Sequence, residues 1–495
     1  MTDKNFTFTS TSPDSVETMF SWHENPGALE RLTPPWMVLS DIRKKGGIEK
    51  GATVKMNMAP AAMPFPLSIP MAAEHLAYEK NRFFRDKLTR GPFKKWEHSH
   101  FFTPCGNNLS RLKDSVNYTL PLHIPKKWHH LAENELNRLF SYRHRIMLAD
   151  LERHRNFKNH QKQPLTILIS GASGPVGNAL IPFLTTGGHR VIKLVRKKPE
   201  NRDEIQWNPY MGELDLKIPS PENPYEKSRS KKTDRETTDN KATNIDKIDV
   251  VINLNGYHIG SGRWTKKTKD IIVKSRNLST SLISERIRQL PIEKRPELFI
   301  SASATGFYGD CGDSCVNENS CCGELFISKV CDEWESCAKG TEDAGIRTVF
   351  ARMGVVLTPA GGALERLLPG FLMGLGAKIG TGNQYMSWIS MDDLVYSLYH
   401  IMYKKNIRGA VNLVCPSPVT NAEFTQVLGK VLSRKAPFTL PESLITLLWG
   451  KMGEEVLLAS TRALPDELLD SGFRFSYPEL EEALRHMLGR FRPHV

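Results

Sequence analysis

The chain has 495 residues, a formal charge of +13, and 40% apolar against 24% charged residues. That length exceeds one ordinary hydrophobic core, so two or three domains are expected. No apolar run reaches the roughly 18–20 residues that span a bilayer, and the first thirty residues lack the basic-then-apolar plan of a secretory leader.

A cytoplasmic address is therefore expected, with the eight cysteines as thiols. Residues 1–160 hold 24 Lys and Arg against 16 Asp and Glu. These cations are scattered among apolar residues, which describes a solvated surface better than a nucleic-acid platform.

Residues 1–160 read as one α+β unit. A strand over Phe6–Thr11 precedes Ser12-Pro13-Asp14, a helix-start signal. The double proline of "LERLTPPWMVLS" ends any helix before it. In "KKWEHSHFFTP", Trp96, His98, His100 and Phe102 alternate onto one strand face. "RLKDSVNYTLPL" follows as its antiparallel neighbour across a Gly106-Asn107-Asn108 turn. The face is expected to line an apolar ligand cavity, its two histidines serving as satisfied polar groups rather than metal ligands. Leu136, Leu139, Phe140, Met147 and Leu151 then recur at helical spacing, and polar residues 157–164 read as a linker.

From 165 onward strands and helices alternate, the pattern of a doubly wound parallel sheet. Its opening, "TILISGASGPVGNAL" (166–180), runs a buried strand into Gly171, Gly174 and Gly177. In such a strand–turn–helix the first glycine makes the tight turn and the second lets a pyrophosphate approach. The third packs helix on sheet, and the helix N-terminus faces the anion. Val176, Leu180 and Leu184 supply the buried stripe, and Gly187-Gly188 end the helix. Ser173 and Val176 lie in the turn, so with the three glycines they are the candidate diphosphate cradle.

The next strand, "HRVIKLV", leads into Arg196-Lys197-Lys198, with no acid between Gly171 and Val195. A ribose 2′-hydroxyl asks for Asp or Glu there, and a 2′-phosphate for Arg, so Arg196 points to NADP(H) over NAD(H). Asn255 and Gly256 in "DVVINLNGY", and Ser301, Ser303 and Tyr308 in "LFISASATGFYGD", end two further buried strands and are expected beside the cofactor. Residues 219–247, almost free of apolar side chains, read as a disordered insertion. Cys311, Cys315, Cys321 and Cys322 lack paired C-x-x-C spacing and nearby histidines, so no metal site is expected. About 436–495 turns to helical patterns.

On "ILISGASGPVGNALIPFL", "GRWTKKTKDIIVKSR", "FISASATGFYGD", "VCDEWE", "RMGVVL", "QYMSWISMDDLV", "VNLVCPSPVTNAEF" and "LPDELLDSGFRFSYPELEEALRHML", residues 165 to about 490 resemble a known family. It is the atypical, extended short-chain dehydrogenase/reductases of the NAD-dependent epimerase/dehydratase type that end in a small domain of unknown function. "RLTPPW", "GPFKKWEHSHFF" and "LFSYRHRIMLADLERH" resemble helix-grip (START-like, polyketide cyclase-like) ligand-binding domains.

The resemblance implies a helix-grip domain (1–160), a Rossmann-type domain (161–435) and a small helical C-terminal domain (436–495). It also implies an NADP(H)-dependent oxidoreductase or epimerase acting on a small molecule, compatible with an oligomer. The rival reading is a non-catalytic NADPH- or lipid-responsive binding protein.

The wider superfamily uses Ser with Tyr-x-x-x-Lys, in which an ammonium lowers the phenol pKa. None of the twelve tyrosines here has Lys four residues on, and Leu325 precedes Lys329 by that interval. Ser303 as carbonyl polariser, Tyr308 as phenol and Lys329 on the ribose are the candidate catalytic groups. Gln384 and Trp388 are expected on the substrate side, and Asp392-Asp393 as a helix N-cap pair. Tyr257-His258 stands where relatives often carry Glu, a departure that alters the pocket lining.

Overall fold

The computed structural model describes residues 3–61, 68–121, 129–216 and 247–492; most of the 219–247 insertion lies outside them. The front of the chain runs β1 (Lys4–Ser12), α1 (Val16–Glu24), α2 (Ala28–Arg31), β2 (Met37–Lys45), β3 (Thr53–Pro60), β4 (Ile69–Glu79), β5 (Phe83–Arg90), β6 (Lys95–Gly106), β7 (Leu109–Thr119) and α3 (His129–His160). The seven strands form one antiparallel sheet in the order β1-β7-β6-β5-β4-β3-β2. Ser15, not the Ser12–Asp14 signal, caps α1 by accepting from the Thr18 N–H.

Period-two alternation does bury Trp96, His98, His100 and Phe102 of β6. Beneath α1 and α3, however, this face meets Phe20, Phe84 and Phe140 and the carboxylates Asp86 and Asp114. The face is thus lined by aromatic rings and by two carboxylates as well as by apolar side chains.

The first half of the expected linker, 157–160, is helical. α3 runs unbroken to His160, and Phe157 is buried with its ring stacked on Tyr399, 4.7 Å between centroids. One helix thus serves both halves of the chain, covering the front sheet and then entering the core of the second.

That second core is built on β8 (Thr166–Ser170), α4 (Pro175–Thr186), β9 (Arg190–Val195), β10 (Glu204–Asn208), β11 (Glu213–Leu214), β12 (Val250–Asn253), α5 (Lys266–Gln289), β13 (Leu298–Ala304), β14 (Cys315–Val316), α6 (Phe326–Asp343) and β15 (Arg347–Met353). β16 (Val355–Leu357), α7 (Gly362–Leu372), β17 (Ala377–Ile379), β18 (Tyr385–Met386), β19 (Trp388–Ser390), α8 (Met391–Tyr403) and β20 (Gly409–Leu413) complete it. The sheet order is β11-β10-β9-β8-β12-β13-β15-β20, parallel except at β11. Strand order reverses between β8 and β12, which opens a crevice at their carboxyl ends. Helices cover both faces. Ile167, Ile252 and Ile300 pack with Leu180, Phe183 and Leu394, while Leu168, Val251 and Phe299 pack with Ile283 and Ala338.

The tail adds β21 (Val419–Thr420), α9 (Asn421–Leu432), β22 (Phe438–Leu440), α10 (Glu442–Trp449), a π turn (Gly453–Leu458), β23 (Arg462–Ala463), α11 (Asp466–Asp470) and α12 (Leu480–Met487). Arg138 of α3 donates to the carbonyls of Leu488 and Gly489 at 2.8 and 3.1 Å, so the tail is tied to the front of the chain. Among the described residues no helix is long and apolar enough to cross a membrane.

Candidate functional site

The glycine turn lies at the point where strand order reverses. Gly171 adopts φ +72°, and a Cβ there would come 2.6 Å from the Leu254 carbonyl oxygen. A Cβ on Gly177 would lie 2.6 and 2.7 Å from the carbonyl oxygens of Gly171 and Ala172. Glycine is required at both positions by backbone packing alone. Gly174 is the N-cap of α4, no side chain caps it, and Pro175 opens the helix. The first-turn N–H groups of α4, Val176 and Gly177 among them, therefore end at the crevice without a side-chain acceptor, beside exposed Ser173.

Arg196 follows directly on β9, exposed and with no ion pair among the described residues, while neighbouring Lys197 is held by Glu200. On the other side of the crevice the β12 end is fixed by a buried polar column. Ser170 Oγ donates to Asn253 Oδ1 (2.5 Å), and Asn253 Nδ2 and Trp334 Nε1 both donate to Thr280 Oγ1 (2.7 and 2.8 Å). This column sets the path of Asn255, whose Nδ2 donates to the Ser275 carbonyl at 3.2 Å, and of exposed Gly256. Ser301, fully buried on β13, has a hydroxyl with no hydrogen-bond partner among the described residues.

Arg276 of α5 was not anticipated from the sequence. It is 8% exposed, its guanidinium lies against Gly256 and 4.9 Å from the Trp334 ring centroid, and Nη1 donates to the Ile272 carbonyl. Among the described residues it has no ion-pair partner, and burial pulls its pKa below the usual arginine range. His258 and Arg366 close the same corner, Arg366 donating to the Gly260 carbonyl. Burial, then the charges of Arg366 and Arg276, lowers the His258 pKa. A helix position that is simply "R" in "VKSR" carries no sequence signal of burial, because its neighbours arrive from distant strands.

Of the three candidate catalytic groups, Ser303 and Tyr308 meet in one buried network and Lys329 stands apart from it. Ser303 Oγ donates to Glu335 Oε1 at 2.6 Å, and Glu335 is paired with Arg352 at 2.8 and 2.9 Å. Arg352 Nη1 donates to the Tyr308 hydroxyl (3.0 Å), which itself donates to Asn412 Oδ1 (2.7 Å). Tyr308 is 3% exposed, and burial, outweighing Arg352, raises its pKa above the usual phenol value. Both hydroxyls are thus spent in a closed buried network, which removes Tyr308 as a ready proton donor. Lys329 projects from the exposed side of α6, with no ion pair among the described residues.

The polar atoms of the two residues expected on the substrate side are held by backbone carbonyls. Trp388 is fully buried and donates from Nε1 to the Ser417 carbonyl at 3.0 Å. Gln384 Nε2 donates to the carbonyls of Ile379 and Leu457, so its amide pins the π turn to β17. Asp392 and Asp393 sit in the first turn of α8, whose N-cap is Ser390. The four clustered cysteines are free thiols, three of them exposed. A cavity of about 240 Å³ bordered by Leu165, Asp249, Glu297 and Arg347 lies at the opposite, amino ends of the strands, away from the glycine turn.

Comparison with known proteins agrees with this layout. The profile of the NAD dependent epimerase/dehydratase family matches residues 167–413, and that of a domain of unknown function (DUF1731) matches residues 440–487. An epimerase family protein of Mycobacterium tuberculosis is 37% identical over 324 residues, covering 66% of this chain and 98% of the relative. The crystal structure of a nucleoside-diphosphate sugar epimerase from Corynebacterium glutamicum superposes with a TM-score of 0.73 at 29% identity. It covers 98% of this chain and 90% of that one, so the likeness takes in the front sheet. The human epimerase family protein SDR39U1, solved with NADPH, gives a TM-score of 0.54 at 28% identity over 65% of this chain and 99% of that one. By its identity to relatives covered almost end to end, and by the family profile that matches its parallel sheet, this chain belongs to the NAD-dependent epimerase/dehydratase family.

Proposed function

We propose that this chain binds NADP(H) across the carboxyl edge of its parallel sheet and is an oxidoreductase or epimerase acting on a small anionic molecule. The observation that carries the reading is the glycine turn. Two of its positions exclude any Cβ, and it faces an uncapped helix N-terminus at the strand-order reversal. The first-turn N–H groups, with Ser173, Gly174, Val176 and Gly177, would hold the diphosphate. Asn255, Gly256 and the unpartnered Ser301 would border it, and Arg196 would take the 2′-phosphate. NADPH in human SDR39U1 supports the choice of nucleotide.

When bound, the nicotinamide supplies hydride chemistry. On the substrate side, Arg276 and Arg366 beside Gly256 and His258, without an ion pair among the described residues, offer cations to a phosphate or carboxylate. The name of the Corynebacterium protein makes a nucleoside-diphosphate sugar the first substrate class to test. We further read residues 1–160 as a helix-grip domain, with the other divisions near 161–435 and 436–495. The seven-stranded antiparallel sheet followed by the long helix α3 supports this reading.

A second reading, NADPH binding without turnover, draws support from the commitment of Ser303 and Tyr308 to the Glu335–Arg352 network. Calorimetry with NADPH and NADH tests binding, and single-turnover absorbance of NADPH against a carbonyl panel separates the two readings. NADPH binding without oxidation by any carbonyl selects the second. Absence of binding by either nucleotide overturns both.

A further inference from the structure

The front sheet buries a histidine–carboxylate cluster that nothing in the dinucleotide site uses. Cross-strand register puts His75 of β4 opposite Asp86 of β5, and Asp86 opposite His98 of β6. His100, two residues along the same strand face, stands opposite Asp114 of β7. The two β6 rings lie 3.9 Å apart between centroids, and each presents one nitrogen to each carboxylate. Toward Asp86 Oδ2 the distances are 3.7 Å from His98 Nδ1 and 3.8 Å from His100 Nε2. Toward Asp114 Oδ1 they are 3.4 Å from His98 Nε2 and 2.7 Å from His100 Nδ1.

Asp114 is itself anchored. Its Oδ2 lies 2.8 Å from His144 Nε2 on α3, and His144 Nδ1 lies 2.7 Å from Ser10 Oγ on β1. A carboxylate fixed behind both rings favours protons on the nitrogens that face it. The lone pairs of His98 Nδ1 and His100 Nε2 then point toward Asp86, the arrangement that orients metal-ligating histidines.

We infer that Asp86, His98 and His100 form a binding site for one divalent first-row transition metal ion, with Asp114 as the carboxylate that orients both rings. One ligand atom from each of the three residues falls within 4.8 Å of the other two. Ligands on a zinc ion at 2.0–2.1 Å sit about 3.3 Å apart in a tetrahedral shell, so each Asp86 contact needs to close by roughly half an ångström. Two imidazoles and one carboxylate on one side suit zinc or iron(II), and leave coordination positions open. Asp86, with 16% of its side chain exposed, gives an ion its way in, while His98 and His100 are buried.

The alternation of β6 displayed both histidines in the sequence. Asp86 and Asp114 escaped notice because strand pairing alone brings them in.

The test uses the full chain, stripped with chelator and with its thiols alkylated so that the exposed cysteines cannot bind metal. Zinc(II) titrated by calorimetry should bind at one equivalent per chain, and cobalt(II) should develop a visible ligand-field band. Asp86→Asn and His100→Gln should each weaken zinc at least about 10-fold and abolish the cobalt band, and Asp114→Asn should weaken zinc about 10- to 100-fold. NADPH affinity should be unchanged in all three, which reports folding independently. Failure of the alkylated wild-type chain to bind zinc or cobalt overturns the site, as does undiminished binding by folded Asp86→Asn and His100→Gln.

Discussion

Arg31, the last residue of α2, meets Asp392 of α8 at 3.2 Å while gripping Asp150 of α3 through two nitrogens at 2.7 and 2.8 Å. The guanidinium is 5% exposed and Asp150 fully buried. Burial pulls the Arg31 pKa down, but the two carboxylates more than offset this and hold it well above the usual value. Asp392 also lies 2.9 Å from His486 of α12. One cation therefore ties front helices, parallel sheet and tail together.

Removing that cation leaves two buried carboxylates facing one another. Arg31→Ala should cost about 3–5 kcal/mol, because breaking a buried pair leaves an uncompensated charge. Replacing a surface pair such as Lys44–Glu30 should cost no more than about 1 kcal/mol. Urea unfolding of the two variants measures the difference. A similar small loss in both would show that the Arg31 cluster is not what joins the parts.

Acid should loosen the same junction through histidines. Burial, then Lys158, holds His189 down at about 4, and burial, then Lys404, holds His400 at about 4. His154 is also well below the usual imidazole value, through burial first and then His189. His189 Nδ1 accepts the Leu165 N–H at 3.0 Å, so the folded ring is neutral with its proton on Nε2. These folded-state values lie below the unfolded one near 6.5. Their contribution to stability is complete above about pH 6.5 and is lost as pH falls toward 4. Each of His189 and His400 accounts for up to about 3 kcal/mol across that window. Denaturant midpoints from pH 7 to 4 should fall steeply, and less so in a His189→Gln, His400→Gln double variant. An equal slope in both proteins would refute the assignment.

The features legible in the sequence were those dictated by local backbone demands. Gly171 and Gly177 must be glycine for reasons contained within a dozen residues and the strand beside them, and Leu180 and Leu184 follow the helical period. The β6 alternation was equally plain. What escaped were elements whose exposure hides their period. β4 is half-buried along most of its length, and β2 alternates only between half-buried and exposed and buries no residue fully. The surroundings of the candidate site residues were hidden for a different reason. Trp388, Gln384, Ser303 and Tyr308 sit at suggestive positions along the chain, but Ser417, Leu457, Glu335 and Asn412 reach them from far away and occupy their polar atoms. Charge was also a poor guide to place, since Arg31 and Arg276 lie buried in helices while Arg196 is exposed.

The closed network around Arg352 predicts a stability defect rather than a catalytic one at Tyr308. Tyr308→Phe deletes the hydroxyl that donates to Asn412 and accepts from Arg352, leaving two buried groups short of a partner. The cost should be about 1–3 kcal/mol. NADPH affinity, and any turnover found, should stay within about threefold of wild type, since no bond of this hydroxyl faces the glycine turn. Thermal unfolding and nucleotide titration measure the two quantities on one sample. A loss of turnover by several orders of magnitude at unchanged stability would restore the phenol to the chemistry.

The glycine turn and Arg196 should separate binding from nucleotide choice. In Gly177→Ala the new methyl meets the carbonyl oxygens of Gly171 and Ala172 inside 3 Å, and neither backbone atom can give way without opening the turn. Both NADPH and NADH should therefore bind roughly 100-fold or more weakly, because the N–H groups that hold the shared diphosphate are displaced. Arg196→Ala leaves that cradle intact and removes only an exposed cation at the β9 end. NADPH should lose about 10- to 100-fold, the worth of one charge-assisted contact to phosphate, while NADH stays unchanged. Calorimetry of the two variants with both nucleotides reads the pattern directly. If Arg196→Ala weakened NADH as much as NADPH, the 2′-phosphate would have to be held elsewhere, with Lys198 and Arg202 the next cations along the chain to test.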